Sequence, residues 1–263
     1  LKALADYGSG NINRRQALAP AIRLAENGFI LSHYEATRLN HNKDLFKQNE
    51  AAAEIFVRKD GRSWQAGDRL FQADLARTLK RISKHGRDGF YRGHVADLIV
   101  AEMKRGNGLI SHEDLKNYSS VYRTPVTGSF HEYGILSMGP PSSGGALLVN
   151  MMNMLENYTL DTLGWNSSDY VHLLTEIERR AYADRAEHFG DPEYWAVPME
   201  MLTSKTYAAS RTGDISMNKA TPSSAVSASE PFGYESRETT HYSVADKEGN
   251  AVSVTTTINL SYG

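Results

Sequence analysis

The chain of 263 residues contains no cysteine, which excludes disulfide frameworks, thiolate nucleophiles and cysteine-ligated zinc together. No apolar run approaches the ~18 residues of a membrane-spanning helix. Net charge is also slight: 29 Lys and Arg against 31 Asp and Glu leave −2 without a basic block, so no nucleic-acid partner is expected. The nine histidines lack a His-Glu-x-x-His or comparable ligand spacing, so neither a metal nor a cofactor is expected. Fixed-period repeats are absent, and compositional bias is confined to a mild serine excess over 223–229. What remains is 40% hydrophobic and 23% charged, the make-up of a soluble globular chain with a real core.

Both ends read as cuts. Leu1-Lys2-Ala3-Leu4 resembles neither an initiating segment nor a charged signal region, and the β-rich run over 255–263 stops without a following partner strand.

Apolar spacing predicts helices over 13–27 (Ala17, Leu18, Ala21, Ile22, Leu24, Ala25), over 71–85 (Leu75, Leu79, Ile82) and around Val95, Leu98, Ile99 and Met103, each stopped by a glycine at 28, 86 or 106. Between 121 and 138 the alternation of Val, Tyr, Phe and Ile with Thr and Gly predicts short strands. Pro140 to Gly145 breaks the chain before an apolar helix over 146–158, and Ser168 opens a longer helix with Val171, Leu174, Ile177 and Ala181 on one side. The Pro140–Gly145 turn is read as a tight helix entry whose glycines allow close packing, rather than as an anion site. Arg180 and Asp184, four apart on the long helix, are expected to pair at a surface or interface. From 213 to 237 the composition shifts to Ser, Thr, Pro, Gly and Ala, which predicts an exposed connection.

Two strands over 241–245 and 251–258 flank Asp246-Lys247-Glu248-Gly249-Asn250, a hairpin loop. With Ala245 opposite Ala251, the two-residue period carries the pairing back until Thr239 lies opposite Thr257. Directly opposed residues have Cβ atoms roughly 4.5–5.5 Å apart, within reach of a Thr–Thr hydrogen bond. A threonine where a linker enters a strand has a chemistry open to it that a mid-strand threonine lacks. Its hydroxyl attacks the preceding carbonyl, and the α-amino group so released, of pKa about 7.7–8.0, then serves as general base. Thr-Thr before an alternating run is by itself far more often plain β-structure, so the pattern alone does not single out a nucleophile.

The run Thr239-Thr240-His241-Tyr242-Ser243-Val244-Ala245-Asp246-Lys247-Glu248-Gly249-Asn250 resembles the start of the small subunit of gamma-glutamyltranspeptidases. The likeness extends in order through Phe90-Tyr91-Arg92-Gly93, Gly108-Leu109-Ile110 with Asp114-Leu115, Pro140 to Gly145, Ala181-Tyr182-Ala183-Asp184-Arg185 and Gly190-Asp191-Pro192. The resemblance implies an α+β chain, part of the four-layer αββα sandwich of N-terminal-nucleophile hydrolases, incomplete and with a helix-rich large-subunit portion. It implies residues 1–238 from the large subunit and 239–263 opening the small one, with self-cleavage between Glu238 and Thr239. By the same resemblance Thr239 is the nucleophile, Thr257 supports its hydroxyl and Asn259 contacts the glutamyl head group. The substrates implied are glutathione or other gamma-glutamyl donors, with water, amino acids or peptides as acceptors. The partners implied are the missing parts of the two subunits, and the location implied is periplasmic or secreted.

A cephalosporin-acylase-like or capsule-processing relative would share the nucleophile, and a nonprocessing binding scaffold would keep the sequence without the chemistry. His241, two residues from Thr239 on one strand face, has no required role in this scheme. Asn-x-Ser/Thr triplets begin at Asn117, Asn157, Asn166 and Asn259 and decide nothing by themselves. The Gly-Ser-Pro-Gly-Gly-type segment that carries the family's substrate-gripping serine pair does not occur here, nor does the segment with its substrate-binding arginine, and Ser142-Ser143 is not that pair. The 263-residue chain alone is therefore expected to release no aniline from a chromogenic gamma-glutamyl anilide. Measurable release in a spectrophotometric assay would refute this.

Overall fold

The computed structural model describes residues 1–226 and 239–258. The chain divides into two compact units, Leu1–Val121 and Tyr122–Gly263.

The first unit is largely helical. Arg14–Asn27 begins at a capping box in which the Asn13 side chain accepts the Gln16 N–H at 3.1 Å while Gln16 Oε1 accepts the Asn13 N–H at 2.9 Å. It lies against Ala73–His85, and Arg14 reaches across to donate to the Ser83 and Lys84 carbonyls at 3.0 and 3.1 Å, satisfying acceptors at the end of that helix. His94–Arg105 packs Ala96 and Val100 onto Leu115 of the short helix His112–Asn117. The three expected helices are thus present and cover most of their expected stripes, with Ala25 and Val95 buried, but Leu24, Leu75 and Leu98 are exposed while Ala76, Ala96 and Val100, outside those stripes, are buried. A two-residue strand pair, Phe29–Ile30 with Arg69–Leu70, completes the sheet content of this unit among the described residues.

In the second unit the strands expected between 121 and 138 are a hairpin, Val126–Phe130 against Tyr133–Ser137. It rests on Gly144–Leu155 with almost no space between backbone and helix. A Cβ on Gly128 would stand 2.7 Å from both Val149 methyls, and one on Gly145 would stand 2.2 Å from the Met138 carbonyl oxygen, where the Gly145 N–H donates at 3.2 Å. Close approach of this kind requires glycine, which supports the packing interpretation of the turn. The Pro140–Pro141 peptide bond within that turn is cis. Arg185 Nε donates to Ser143 Oγ at 3.0 Å and the Gly144 N–H to Ser142 Oγ at 3.3 Å, so both serine hydroxyls serve the turn.

The core of this unit is built on Ser168–His188, which opens at Ser168 as expected and is capped by Ser167, whose side chain accepts the Tyr170 N–H at 3.1 Å. Leu173, Ile177 and Ala181 pack against Leu147, Met154 and Leu155 of Gly144–Leu155 and Ala208 of Lys205–Thr212. The buried stripe at helical spacing also includes three charges, Glu176, Arg180 and Asp184, at 1%, 1% and 3% exposure. The expectation of a surface Arg180–Asp184 pair is corrected on both counts. Arg180 donates to Glu176 Oε2 at 2.6 Å and to Asp214 Oδ1 at 2.8 Å. Asp184 instead accepts from Tyr207 Oη at 2.9 Å and Asn150 Nδ2 at 3.3 Å, and pairs with Arg211 at 2.9 Å. The i,i+4 spacing that allows Arg180 to meet Asp184 serves equally for Glu176 and Arg180, and packing chooses the latter.

Glu176 Oε1 also accepts the Thr221 N–H at 2.8 Å, and Arg179 donates to the Thr221 carbonyl, so the chain is held at that residue. Part of the expected 213–237 connection is structured, with a short helix at Ser223–Val226, and 227–237 lies outside the described residues.

Burial works to raise the Glu176 pKa, but the Thr221 N–H and the Arg180 guanidinium outweigh it and hold the carboxyl at about 2. A folded-state pKa below the unfolded value means stability that is present above the ordinary 4.5 and lost as pH falls through about 2. Glu176→Ala leaves the buried Arg180 with Asp214 as its carboxylate partner and the Thr221 N–H without its acceptor, and is expected to lower unfolding free energy by about 1.5–3 kcal/mol. It should also weaken the acid dependence between those two pH values, both measured by urea titration at a series of pH values.

Candidate functional site

Thr239–Ala245 and Ala251–Thr257 form an antiparallel pair in the expected register, Ala245 opposite Ala251 and Thr239 opposite Thr257. The intervening loop holds that register at its own end of the ribbon. Asp246 Oδ1 accepts the Glu248 and Asn250 N–H groups at 3.1 and 2.9 Å, and Oδ2 accepts Asn250 Nδ2 at 2.8 Å. Gly249 takes φ +85°, a conformation L side chains adopt rarely, and the Asp246 N–H closes onto the Asn250 carbonyl at 3.0 Å. Donation from the Asn250 side chain and then from its N–H lowers the pKa of the Asp246 carboxyl.

Alternation along the two strands separates two faces. One bears Tyr242, Val244, Val252 and Val254, the first three exposed. The other bears the rungs His241–Thr255 and Ser243–Ser253, and the backbone register continues to Thr239 opposite Thr257. His241 Nδ1 lies 2.8 Å from Thr255 Oγ1, and Nε2 lies 3.1 Å from Ser253 Oγ and 3.4 Å from Ser243 Oγ. The two serine hydroxyls are 3.3 Å apart.

Of the residues singled out in the sequence, Thr239 and Thr257 are brought together as cross-strand partners. Glu238 and Asn259 lie outside the described residues. Sequence reasoning missed the bridging of His241 to Thr255 and Ser253, although the hairpin register, extended by one rung, places an imidazole between hydroxyls. Among the described residues no group of three or more His, Asp or Glu is placed to hold a metal ion.

A mixed helix-and-sheet chain in which a strand begins at one threonine and pairs it with another matches solved structures of N-terminal-nucleophile hydrolases. The structure of Helicobacter pylori gamma-glutamyltranspeptidase superposes with a TM-score of 0.80 at 40% identity, covering 86% of this chain and 64% of that one. The gamma-glutamyltranspeptidase family model matches residues 1–263, and the chain belongs to that family. The glutathione hydrolase proenzyme of Escherichia coli strain K12 is 43% identical over 262 residues, 99% of this chain and 45% of the relative. The acylase ACY 1 proenzyme of Pseudomonas sp. strain SE83 is 39% identical over 263 residues, 100% of this chain and 46% of the relative. The chain thus spans a little under half the length of these curated relatives.

Because Asp246 organises the loop that holds the register at that end, Asp246→Ala is expected to accelerate amide hydrogen exchange at Val244 and Val252 several-fold relative to the unaltered chain. Unchanged exchange would mean that strand pairing alone holds the register.

Proposed function

We propose that this chain is the subunit-junction segment of a gamma-glutamyltransferase precursor, residues 1–238 closing the large subunit and 239–263 opening the small one. Within an αββα sandwich completed by the remainder of such a precursor, Thr239 Oγ attacks the Glu238 carbonyl carbon. The acyl group passes from nitrogen to oxygen, and water hydrolyses the resulting ester, leaving a Glu238 carboxylate and a free Thr239 α-amino group. That amine then takes the Thr239 hydroxyl proton as Oγ attacks the gamma-glutamyl carbonyl of glutathione or a related amide. It returns the proton to the departing amine, leaving a gamma-glutamyl ester on Thr239. Water, or the amine of an amino acid or peptide, attacks this ester and frees Thr239. Thr257 supports the Thr239 hydroxyl from the facing strand, and Asn259 contacts the glutamyl head group. A periplasmic or secreted location goes with this reading.

The observation that carries the proposal is the Thr239–Thr257 pairing at the open end of the hairpin, in a chain of this family. The likeness to an acylase proenzyme favours one second reading, in which the same nucleophile opens a different amide. Comparing gamma-glutamyl and acyl amide donors separates the two.

In a precursor of the relatives' length carrying this chain, incubation at neutral pH is expected to yield two fragments whose masses place the cut between Glu238 and Thr239. Thr239→Ala should stay whole, and Thr257→Val should split about tenfold more slowly or worse, a loss of ~1.4 kcal/mol in barrier lowering. Intact-mass spectrometry over time reads all three. If the folded, unaltered precursor stays whole, a noncatalytic scaffold is the better description.

A further inference from the structure

The nucleophile pair sits at the end of the hairpin farthest from its loop. Loop contacts hold the strands together at Asp246, but pairing at the opposite end of a two-stranded ribbon is the part most prone to open. The sequence there is also ambiguous. Thr255, Thr256 and Thr257 all offer a hydroxyl, so a slip of two residues, which keeps every side chain on its own face, still places a threonine opposite Thr239. Thr–Thr complementarity by itself does not select the native rung.

His241 does distinguish the registers. Its ring spans two rungs, with Nδ1 on Thr255 at 2.8 Å and Nε2 on Ser253 at 3.1 Å. Slipped by two, the same ring faces Ser253 and Ala251, so Nε2 loses its cross-strand hydroxyl and keeps only Ser243 Oγ of its own strand, 3.4 Å away. We infer that His241 is a positioning residue: by bridging Thr255 and Ser253 it locks the rung next to Thr239 and keeps Thr257, rather than Thr255, opposite the nucleophile. His241 acts through the facing strand and need not touch substrate. The inference rests on Thr239 being the nucleophile.

The test uses the precursor of the relatives' length with His241→Ala, His241→Asn and Thr255→Val, beside the unaltered protein and Thr239→Ala. Self-cleavage is followed by intact mass, and kcat and KM are measured on a gamma-glutamyl anilide after processing. His241→Ala is expected to slow self-cleavage and lower kcat by about tenfold or more with KM within about twofold, at an unfolding temperature close to the parent's. In His241→Asn the side-chain amide stands where Nδ1 stood but has a hydroxyl opposite it in either register, Thr255 or Ser253, so it no longer distinguishes them and should be slowed by about tenfold as well. Thr255→Val should match His241→Ala, and the double variant should be no slower than either, because each breaks the two-hydroxyl bridge by removing the His241–Thr255 contact. Parent-like rates in His241→Ala, His241→Asn or Thr255→Val, or a loss confined to KM, overturn the role of His241 while leaving the nucleophile in place. A folded parent that stays whole instead removes the nucleophile itself.

Discussion

Three charges buried along one helix face govern the second unit. Glu176, Arg180 and Asp184 share a stripe with Leu173, Ile177 and Ala181, so the face that buries the apolar residues must bury the charges too. A buried charge is tolerated only with partners and hydrogen bonds around it, and the partners recruit the surroundings. Arg180 fixes Asp214, Glu176 and Arg179 hold Thr221, and Asp184 gathers Asn150, Tyr207 and Arg211. Burial pushes the Asp184 carboxyl pKa up, and burial together with the Asp184 contact pushes the Tyr207 hydroxyl up to about 12. The helix thereby organises Gly144–Leu155, Lys205–Thr212 and the chain leading away from them.

The hairpin solves a different problem. Its polar face is built from hydroxyls and one imidazole, and its other face carries exposed Tyr242, Val244 and Val252. Exposed apolar residues at strand spacing are a surface ready to be covered, consistent with a chain that spans under half the length of its curated relatives. Chemistry on such a ribbon depends on register alone, because a shift by one residue exchanges the two faces. The Asp246 loop and the His241 bridge act at opposite ends of that single constraint.

Much of this was legible from local pattern. The helices ending at Asn27, His85 and Arg105 were visible from spacing and a following glycine, and the Thr239–Thr257 rung followed from the loop and a two-residue period. The helix faces were less legible. Leu24, Leu98 and Val171 have helical spacing yet lie exposed, because spacing identifies an amphipathic helix but not which neighbour it will meet. The pairing of Arg180 was misread for a related reason. Its helix offers carboxylates four residues away on both sides, and the choice between them depends on Asp214, 34 residues along the chain.

By itself, then, the sequence determined the periodicities, the loop chemistry and the family, since each is written in residues adjacent or a few turns apart. Tertiary structure alone decided which carboxylate answers Arg180, which apolar positions are buried, and that both nitrogens of His241 are engaged. Each of these depends on side chains that become neighbours only when separate segments pack or strands align, and chain spacing does not encode that distance.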